Sequence, residues 1–359
     1  MKVVLKLFRT IRRFVPVHVK RKDRAANAPT KKVPPPELQT TKRVTRSTAD
    51  ISPVNLDASP PRHLRTDLKG KTLKGNYEIL EEIGRGGMAV VFKASHPTYG
   101  EVAVKVFDAR NSGVKLVERF LKEGKKLLAY KHTNIIPGHE LLIDKLNEVI
   151  FISMMLVNNK TLHDFIKGKT NEEKPLAKPD FEQVLKILIK IANALHYIHE
   201  EGLIHRDVKP LNILLHNDEP YLSDLGLARL NNETHLTTQG AIVGSPDHMA
   251  PEQLKDIPDA NGQPILDRRV DIYAIGVILY EAITGRNPFK SDTTAGTLAK
   301  HQEKNLPPPN LLNPNVSGDC SSYILTMLET DPTQREPQTA GKLAQDLNDF
   351  LSGERKIWA

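Results

Sequence analysis

The sequence HRDVKPLN, at residues 205–212, is the stretch that indicates most clearly how this chain folds. It places Asp207, Lys209 and Asn212 close together in a segment that Pro210 keeps out of regular helix. A strand–turn–strand pattern follows and ends at Asp224. Two carboxylates, an amide and a lysine on neighbouring loops suit the binding of a divalent metal and a polyphosphate beside a hydroxyl group. A polar loop with scattered charges is the plainer interpretation of any three of these residues taken alone.

Length and composition are consistent with a two-lobed domain preceded by a tail. The chain has 359 residues. Its single cysteine, Cys320, argues against a disulfide framework, disfavours a zinc site and fits a reducing compartment. The best candidate for a membrane span, residues 272–283, is shorter than the roughly 20 residues that a spanning helix needs. It also contains Glu281, so the pattern predicts a buried core helix.

The positive charge is concentrated at the amino-terminal end. The net charge is +8, of which residues 1–70 carry 17 Lys/Arg and 5 Asp/Glu. The remainder of the chain is therefore slightly acidic, and its charge gives no support to a nucleic-acid-binding role for the folded part.

Residues 1–22 contain no acidic residue and have the pattern of a basic amphipathic helix. Val4, Phe8 and Ile11 fall on one face, which is typical of a helix that lies on an anionic membrane surface. A mitochondrial presequence and an ordinary solvated tail are the two alternatives. Residues 23–70 are rich in Pro, Thr and basic residues, which predicts a disordered linker.

A glycine-rich turn lies between two predicted strands near the start of the folded sequence. Residues 84–91 read GRGGMAVV, and an alternating apolar strand that includes Tyr77 and Ile79 precedes them. A lone glycine-rich turn is a weak signal, because many hairpins contain one. Its position gives it value, since backbone N–H groups without neighbouring Cβ atoms can approach phosphate oxygens closely.

The next strand, residues 101–107, contains Lys105 within an apolar run. Such a lysine can simply direct its ammonium group to solvent. Residues 114–130 have a helical pattern in which Glu123 faces the apolar side, although an ordinary surface glutamate is the alternative.

These motifs, taken in order, resemble those of the protein-kinase family. HRDVKPLN is similar to the kinase catalytic loop H-R-D-x-K-P-x-N at every position. Residues 84–91 resemble the loop G-x-G-x-x-G-x-V, with Ala89 in place of the third glycine, and residues 250–252 match A-P-E. The resemblance covers about residues 73–352 and favours the bacterial branch of the eukaryotic-type serine/threonine kinases.

The resemblance implies an α+β, two-lobed fold with a small β-rich N-lobe and a larger helical C-lobe. We expect residues 1–72 to form the tail and linker, residues 73–157 the N-lobe and residues 158–359 the C-lobe. Asp271 resembles the aspartate that braces the catalytic loop, and Arg335 resembles the arginine that pairs with Glu252. Asp180, with Gln183 three residues later, has the pattern of a helix start.

The activity implied is transfer of the ATP γ-phosphate to serine or threonine hydroxyls of a protein, with Mg²⁺ bound, or Mn²⁺ as an alternative. Asn212 and Asp224 would hold the metal. Asp207 would orient the hydroxyl and accept its proton, and Lys209 would steady the γ-phosphate. Lys105, aimed by Glu123, would bind the phosphates. The remaining nucleotide contacts would come from Ile83, Gly84, Arg85, Gly86, Gly87, Met88, Ala89, Val91, Ala103, Met155, Val157 and Leu214.

The resemblance also implies regulation and partners. Thr237, with Thr234 and Thr238 as alternatives, lies where related bacterial enzymes phosphorylate themselves. A protein substrate is expected, no nucleic acid, and a cytoplasmic location with contact to the inner membrane face through residues 1–22. Two other classes stay open: an inactive kinase fold that acts as a binding module, and a kinase fold that phosphorylates a small molecule.

Overall fold

The computed structural model describes residues 67–86, 89–108, 114–157, 160–169, 174–225, 246–255, 266–302 and 306–359. Among the described residues, no helix is long and apolar enough to cross a membrane. The described residues lie in one unit, Ala58–Ala359, which has two parts: a sheet-rich part followed by a helical part. This arrangement confirms the predicted two-lobed α+β fold.

The first part is built on a six-stranded antiparallel sheet with the strand order β1-β2-β3-β4-β6-β5. Its apolar core includes Leu68 and Tyr77, both fully buried. The strands are β1 (Thr72–Leu73), β2 (Tyr77–Arg85), β3 (Val90–His96), β4 (Gly100–Asp108), β5 (Gly138–Asp144) and β6 (Val149–Met155).

Helix α1 (Val114–Ala129) packs on β5 at the edge of this sheet. A Cβ atom placed on Gly124 would lie 2.8 Å from Leu141 Cδ1 and 3.0 Å from Ile152 Cγ1. Glycine therefore allows the helix backbone to approach the sheet closely at this turn, one residue after Glu123.

The second part holds a small antiparallel sheet and a helical core. The sheet has the order β7-β8-β9. Helix α5 is buried on all sides, as the sequence predicts for residues 272–283, because every residue from Val270 to Thr284 is buried. The elements are β7 (Lys160–Thr161), α2 (Leu162–Lys169), α3 (Lys178–Glu200), β8 (Ile213–His216), β9 (Glu219–Leu222), α4 (Pro251–Lys255), α5 (Arg269–Thr284), α6 (Thr294–Gln302), α7 (Pro309–Leu312), α8 (Gly318–Met327) and α9 (Ala340–Ser352).

The predicted start of α3 is wrong by three residues, because the capping pattern placed the N-cap at Asp180 and the structure places it at Ala177. The helix begins at Lys178, with Ala177 as its N-cap and no side-chain capping bond, so Asp180 lies inside the first turn. Pro179 occupies that turn, where its fixed φ angle and missing N–H cost nothing. Asp180 still favours the helix, since a carboxylate in the first turn interacts well with the helix dipole.

The helical part packs tightly against the chain where helix α5 ends. Gly285 follows the helix with φ +80°, and its N–H donates to Glu281 O at 2.8 Å. A Cβ atom there would lie 2.5 Å from the carbonyl carbon of Lys174, a backbone atom that cannot rotate away. Gly353, after α9, has a similar φ of +88° but nothing within 4 Å of its Cβ position.

These two glycines make a matched pair for a stability measurement. We expect Gly353→Ala to lower the free energy of unfolding by about 1–2 kcal/mol, the cost of a left-handed backbone at alanine. Gly285→Ala adds a backbone clash and should cost about 2–5 kcal/mol. Urea denaturation of the two variants checks this expectation. Equal losses would show that the approach of the Lys174 backbone does not constrain the fold.

Candidate active site

The segment 205–212 lies between helix α3 and strand β8. Helix α3 ends at Glu200, and the chain turns at Gly202, whose φ is +69°. Leu203 N then donates to Ile198 O at 2.8 Å, which fixes the direction in which the chain leaves the helix. A 3₁₀ turn, Pro210–Asn212, leads directly into β8. The segment is therefore held by regular structure at both ends.

Asp271, at the start of helix α5, holds the middle of this segment. Its carboxylate accepts hydrogen bonds from the backbone N–H of His205 at 2.9 Å and of Arg206 at 2.7 Å. His199 Nε2, on α3, lies 2.8 Å from the same carboxylate. Arg206 has φ +65°, which is uncommon for a residue with a Cβ atom. The buried carboxylate stabilises this backbone conformation, as the sequence predicts for a bracing aspartate.

Asp271 stays ionised although its side chain is only 1% exposed. Burial by itself would raise the pKa of this carboxyl, but the hydrogen bond with His199 and the backbone N–H donors lower it below its ordinary value. A buried charge held by several donors makes a rigid anchor, because no water can replace the partners.

His205 links the segment to the chain that precedes Asp224. Its ring is fully buried, and Nε2 lies 3.0 Å from Ser223 O. Asp207 N donates to the other ring nitrogen, Nδ1, at 3.3 Å. Nδ1 therefore acts as an acceptor, and Nε2 carries the proton that it donates to the Ser223 carbonyl.

Asp207, Lys209 and Asn212 form a compact cluster. Lys209 Nζ lies 3.1 Å from Asp207 Oδ2, and both side chains are largely buried. Asn212 Nδ2 donates to Asp207 O at 2.8 Å and to Oδ2 at 3.0 Å. Both side chains contact Oδ2 of the Asp207 carboxylate and so orient it. The three residues that the sequence grouped do lie together.

Asp224 is brought to this cluster through Ser223. Ser223 N and Oγ both donate to Asn212 O, at 2.9 and 3.0 Å. Asp224 follows with φ +53° and a side chain that is 52% exposed. The cluster therefore combines an accessible carboxylate, Asp224, with a largely buried one, Asp207.

Lys105 reaches Asp224 from the first sheet. Its Nζ lies 2.8 Å from Asp224 Oδ1, although the two residues are 119 positions apart in the sequence. The Lys105 ammonium group lowers the pKa of the Asp224 carboxyl, and burial acts in the opposite direction with less effect. The contact brings a cation of the sheet-rich part to the acidic cluster of the helical part.

A backbone bridge also joins the two parts beside the cluster. Ile136 N donates to Leu222 O at 3.0 Å, and Leu222 N donates to Asn134 O at 2.8 Å. Leu222 is the last residue of β9, two residues before Asp224. The segment that enters β5 is thus hydrogen-bonded next to the acidic residues.

The predicted nucleotide-binding residues that are described lie on, or directly next to, strands β2, β3, β4, β6 and β8. Gly86 N donates to Ala89 O at 2.9 Å and closes the glycine-rich turn. Cβ atoms on Gly84 and Gly86 would meet nothing closer than 3.8 and 3.7 Å, so the fold itself does not require glycine there. Ile83 and Arg85 lie on β2, Val91 on β3, Ala103 on β4, Met155 at the end of β6, Val157 just beyond it and Leu214 on β8.

Several predicted residues cannot be placed. Gly87, Met88 and the side chain of Glu123 lie outside the described residues, so the predicted Lys105–Glu123 pair stays a prediction. The segment 226–245, which includes Thr234, Thr237 and Thr238, also lies outside them.

Arg335 and Glu252 form the ion pair that the sequence predicts. The guanidinium binds the carboxylate through two contacts, at 2.7 and 3.0 Å, and Arg335 is fully buried. Its remaining N–H groups donate to Glu329 O and Arg269 O. This pair fastens helix α4 to the helical core.

The sequence analysis missed His199, Ser223 and Gln253. Gln253 Nε2 donates to Arg206 O at 2.9 Å, and its Oε1 accepts from Ala250 N at 2.9 Å. These side chains act on residues up to 72 positions away. No local pattern signals such contacts, because they depend on how helices α3, α4 and α5 meet.

Comparisons with known proteins agree with this geometry. The family model described as "Protein kinase domain" matches residues 77–346. A protein described as a probable serine/threonine-protein kinase from Clostridium acetobutylicum is 34% identical over 282 residues, which cover 78% of this chain and 40% of that protein. The serine/threonine-protein kinase PrkC of Bacillus subtilis is 30% identical over 292 residues, which cover 80% of this chain and 42% of PrkC.

A third relative carries a more specific description. The DNA damage-responsive serine/threonine-protein kinase RqkA of Deinococcus radiodurans is 34% identical over 281 residues, which cover 77% of this chain and 39% of RqkA. The chain therefore matches about two fifths of the length of these relatives.

The anchoring role of Asp271 can be measured through amide hydrogen exchange. We expect Asp271→Asn to speed exchange at the His205 and Arg206 amides by roughly 100-fold, since a buried charged acceptor contributes about 2–3 kcal/mol. Glu219→Gln is the control, because its pair with Lys190 is half exposed and worth about 1 kcal/mol or less. Unchanged exchange at both amides in Asp271→Asn would contradict the anchoring role.

Proposed function

The chain belongs to the protein kinase family, and on that basis we propose that it transfers the γ-phosphate of ATP to serine and threonine hydroxyls of proteins. The observation that carries the proposal is the 2.8 Å contact between Lys105 and Asp224, next to the cluster of Asp207, Lys209 and Asn212. It brings together a phosphate-binding cation, an accessible carboxylate and a second, oriented carboxylate. The three relatives are all named as serine/threonine-protein kinases, which supports the same substrate class.

The nucleotide would lie between the glycine-rich turn and strand β8. A Cβ atom at Gly84 or Gly86 would make only ordinary van der Waals contacts, so packing does not require glycine there, and its absence of a side chain favours the approach of phosphate oxygens to backbone N–H groups. Ile83, Val91 and Leu214 are partly exposed apolar residues that suit an adenine ring. The N–H of Met155 is already bonded to Pro137 O at 2.9 Å, so an adenine contact at Met155 would use its carbonyl.

The donor set fits a divalent metal of the Mg²⁺ type, which prefers oxygen ligands. Asp224 offers an ionised and half-exposed carboxylate. The amide nitrogen of Asn212, Nδ2, donates hydrogen bonds to two oxygens of Asp207. The amide oxygen, Oδ1, is therefore the atom of Asn212 that would bind a metal. A bound metal would neutralise charge on the phosphates and bring their oxygens into line for transfer.

Asp207 would orient the substrate hydroxyl and accept its proton. The carboxylate is fixed by Asn212 and Lys209, so it needs little reorganisation when the hydroxyl approaches. The Lys209 ammonium group would also stabilise the negative charge that develops on the γ-phosphate during transfer. Positioning and charge stabilisation carry most of the catalysis in such a transfer.

Substitutions in this set separate nucleotide binding from transfer. Lys105→Met, Asp207→Asn and Asp224→Asn should each lower kcat by about 100- to 1,000-fold or more, because each removes charge or proton handling from the transition state. Asp207→Asn should bind ATP nearly as well as the unchanged chain, which calorimetry can check. Lys190→Ala, at an exposed pair on α3, is the control with unchanged kcat. Turnover at the original rate in Asp224→Asn would rule out its role as metal ligand.

We further propose that the chain phosphorylates itself at Thr237. Arg206 lies directly beside Asp207, and its main chain is fixed by Asp271 and Gln253. A phosphate adds about −1.5 to −2 charge and can order a segment through charge-assisted bonds to such an arginine. The position of Thr237, eight residues before Ser245, supports the proposal from the sequence alone.

The switch is testable by comparing two preparations of the same chain. Autophosphorylated enzyme should transfer phosphate to a peptide faster than phosphatase-treated enzyme, and Thr237→Ala should abolish the difference. ATP binding should change little in that variant, because Thr237 is not among the residues predicted to bind the nucleotide. Thr234→Ala serves as the matched control at a neighbouring threonine. Equal rates in the two preparations would contradict the switch.

We also propose domain boundaries for the chain. In addition, we propose a membrane contact for residues 1–22, which lie outside the described residues. The domains would comprise a tail at 1–72, an N-lobe at 73–157 and a C-lobe at 158–359, although Leu68 already packs in the core of the first sheet. The basic and apolar faces of residues 1–22 support peripheral contact with an anionic membrane surface.

This contact should appear as salt-dependent binding of the full chain to anionic lipid vesicles. The variant Phe8→Ser/Ile11→Ser should lose binding even at low salt, since it removes the apolar face while keeping the charge. Neutral vesicles give the matched control. Equal sedimentation of the full chain and the variant with anionic vesicles would exclude a membrane-bound helix.

A further inference from the structure

The 3₁₀ turn Pro246–His248 lies where the chain re-enters the described part after segment 226–245. It precedes helix α4, and Met249 N donates to Pro246 O at 3.1 Å. It meets helices α5 and α6. Helix α4, which follows the turn, contacts the catalytic loop through Gln253, whose Nε2 donates to Arg206 O at 2.9 Å.

His248 lies between two carboxylates. Its Nδ1 is 3.7 Å from Asp247 Oδ2, and its Nε2 is 3.7 Å from Glu281 Oε2 on helix α5. The three side chains are between 10% and 24% exposed. His248 Nε2 and Asp247 Oδ1 are buried without a hydrogen-bond partner among the described residues.

This arrangement specifies the charge of the ring. A neutral imidazole has one N–H and one lone pair, so one of its nitrogens would direct a lone pair at a carboxylate. The imidazolium has an N–H on each nitrogen and can serve both carboxylates. Loss of its proton would leave two poorly solvated negative charges with weaker compensation, which costs free energy.

The other charged groups around the turn do not replace this proton. Lys167, on helix α2, lies 3.4 Å from the second oxygen of Glu281, but its side chain is 41% exposed. Lys209, in the catalytic loop, is already within 3.1 Å of Asp207. Neither ammonium group lies between Asp247 and Glu281, as the His248 ring does.

His301, on helix α6, contacts the same turn in the opposite protonation state. Its Nε2 lies 2.9 Å from Pro246 O and its Nδ1 lies 3.0 Å from Tyr273 Oη. The ring stacks on Phe289 at 3.9 Å, and burial lowers the pKa of His301 to about 4. His301 is therefore a neutral support, and it provides an internal reference for His248.

We propose that protonated His248 is a positioning residue for phosphorylation of protein substrates, since its imidazolium fastens the Pro246–His248 turn to helix α5 and thereby positions helix α4, whose Gln253 binds the catalytic loop. The inference rests on the proposed kinase function. In this proposal His248 contacts neither ATP nor metal. Substitution of His248 should therefore change the turnover of the protein substrate and not the binding of ATP.

The direction of the pH dependence follows from the partners. Burial lowers the pKa of His248, but the carboxylates of Asp247 and Glu281 raise it further, so the net shift is upward from 6.5. The stabilisation is then complete below about pH 6.5, the ordinary value. It is lost as the pH rises through the higher pKa of the folded protein. The contribution of His248 to positioning the turn is therefore lost at pH values above its pKa in the folded protein.

NMR of the full chain with ¹³C-labelled histidine tests the protonation state without reference to activity. The His248 ring signal is assigned by its loss in His248→Gln. We expect it to titrate above pH 6.5, and its pKa to fall by about one unit or more in Glu281→Gln, which removes one charge. His301 should stay neutral down to about pH 4. A His248 ring that is neutral at pH 6 would overturn the inference.

Kinetics across pH tests the positioning role. With casein as a generic protein substrate, the unchanged chain should be about tenfold faster than His248→Gln at pH 6, and the two should converge as the pH passes the His248 pKa. KM for ATP should be equal in both. A constant ratio at all pH values would indicate a merely structural residue and overturn the inference. Absence of transfer by the unchanged chain at every pH would instead refute the proposed function on which it rests.

Discussion

The Asp271 carboxylate, buried at the start of helix α5, is the contact on which the candidate site depends. It accepts hydrogen bonds from two successive backbone N–H groups, His205 and Arg206, and lies against His199. Without it, Arg206 would not keep a positive φ angle, and the direction of Asp207 would not be fixed. Helix α5 can serve as the anchor because apolar packing buries it on every side.

Further hydrogen bonds connect the segment held by Asp271 to the rest of the site. His205 and Asn212 each bond the Ser223 region, which sets the chain immediately before Asp224. Asp224 meets Lys105 of the sheet, while the Leu222 backbone bonds the segment that enters β5. Hydrogen bonds therefore hold the acidic cluster on its helical side, and the Lys105–Asp224 ion pair connects it to the ammonium group of the sheet.

The sequence predicted the parts of the site that are local and not the contacts that join them. The clustering of the polar residues in HRDVKPLN could be predicted, because they are close in the chain and Pro210 prevents a regular helix. Asp271 and Arg335 were predicted from family resemblance, and their partners have the expected geometry. The start of α3 was misplaced, since an acid in the first turn resembles a cap. His199, Gln253 and His248 were missed because their partners come from other elements.

The central claim is that this arrangement moves phosphate from ATP to protein hydroxyls. The most direct measurement incubates the purified chain with Mg-ATP, with and without an added protein substrate, and locates phosphate by mass spectrometry. The account predicts phosphoserine and phosphothreonine that depend on time and on metal, and their absence in Asp207→Asn. Tight ATP binding without any phosphoprotein, or phosphate found only on an added small molecule, would contradict it.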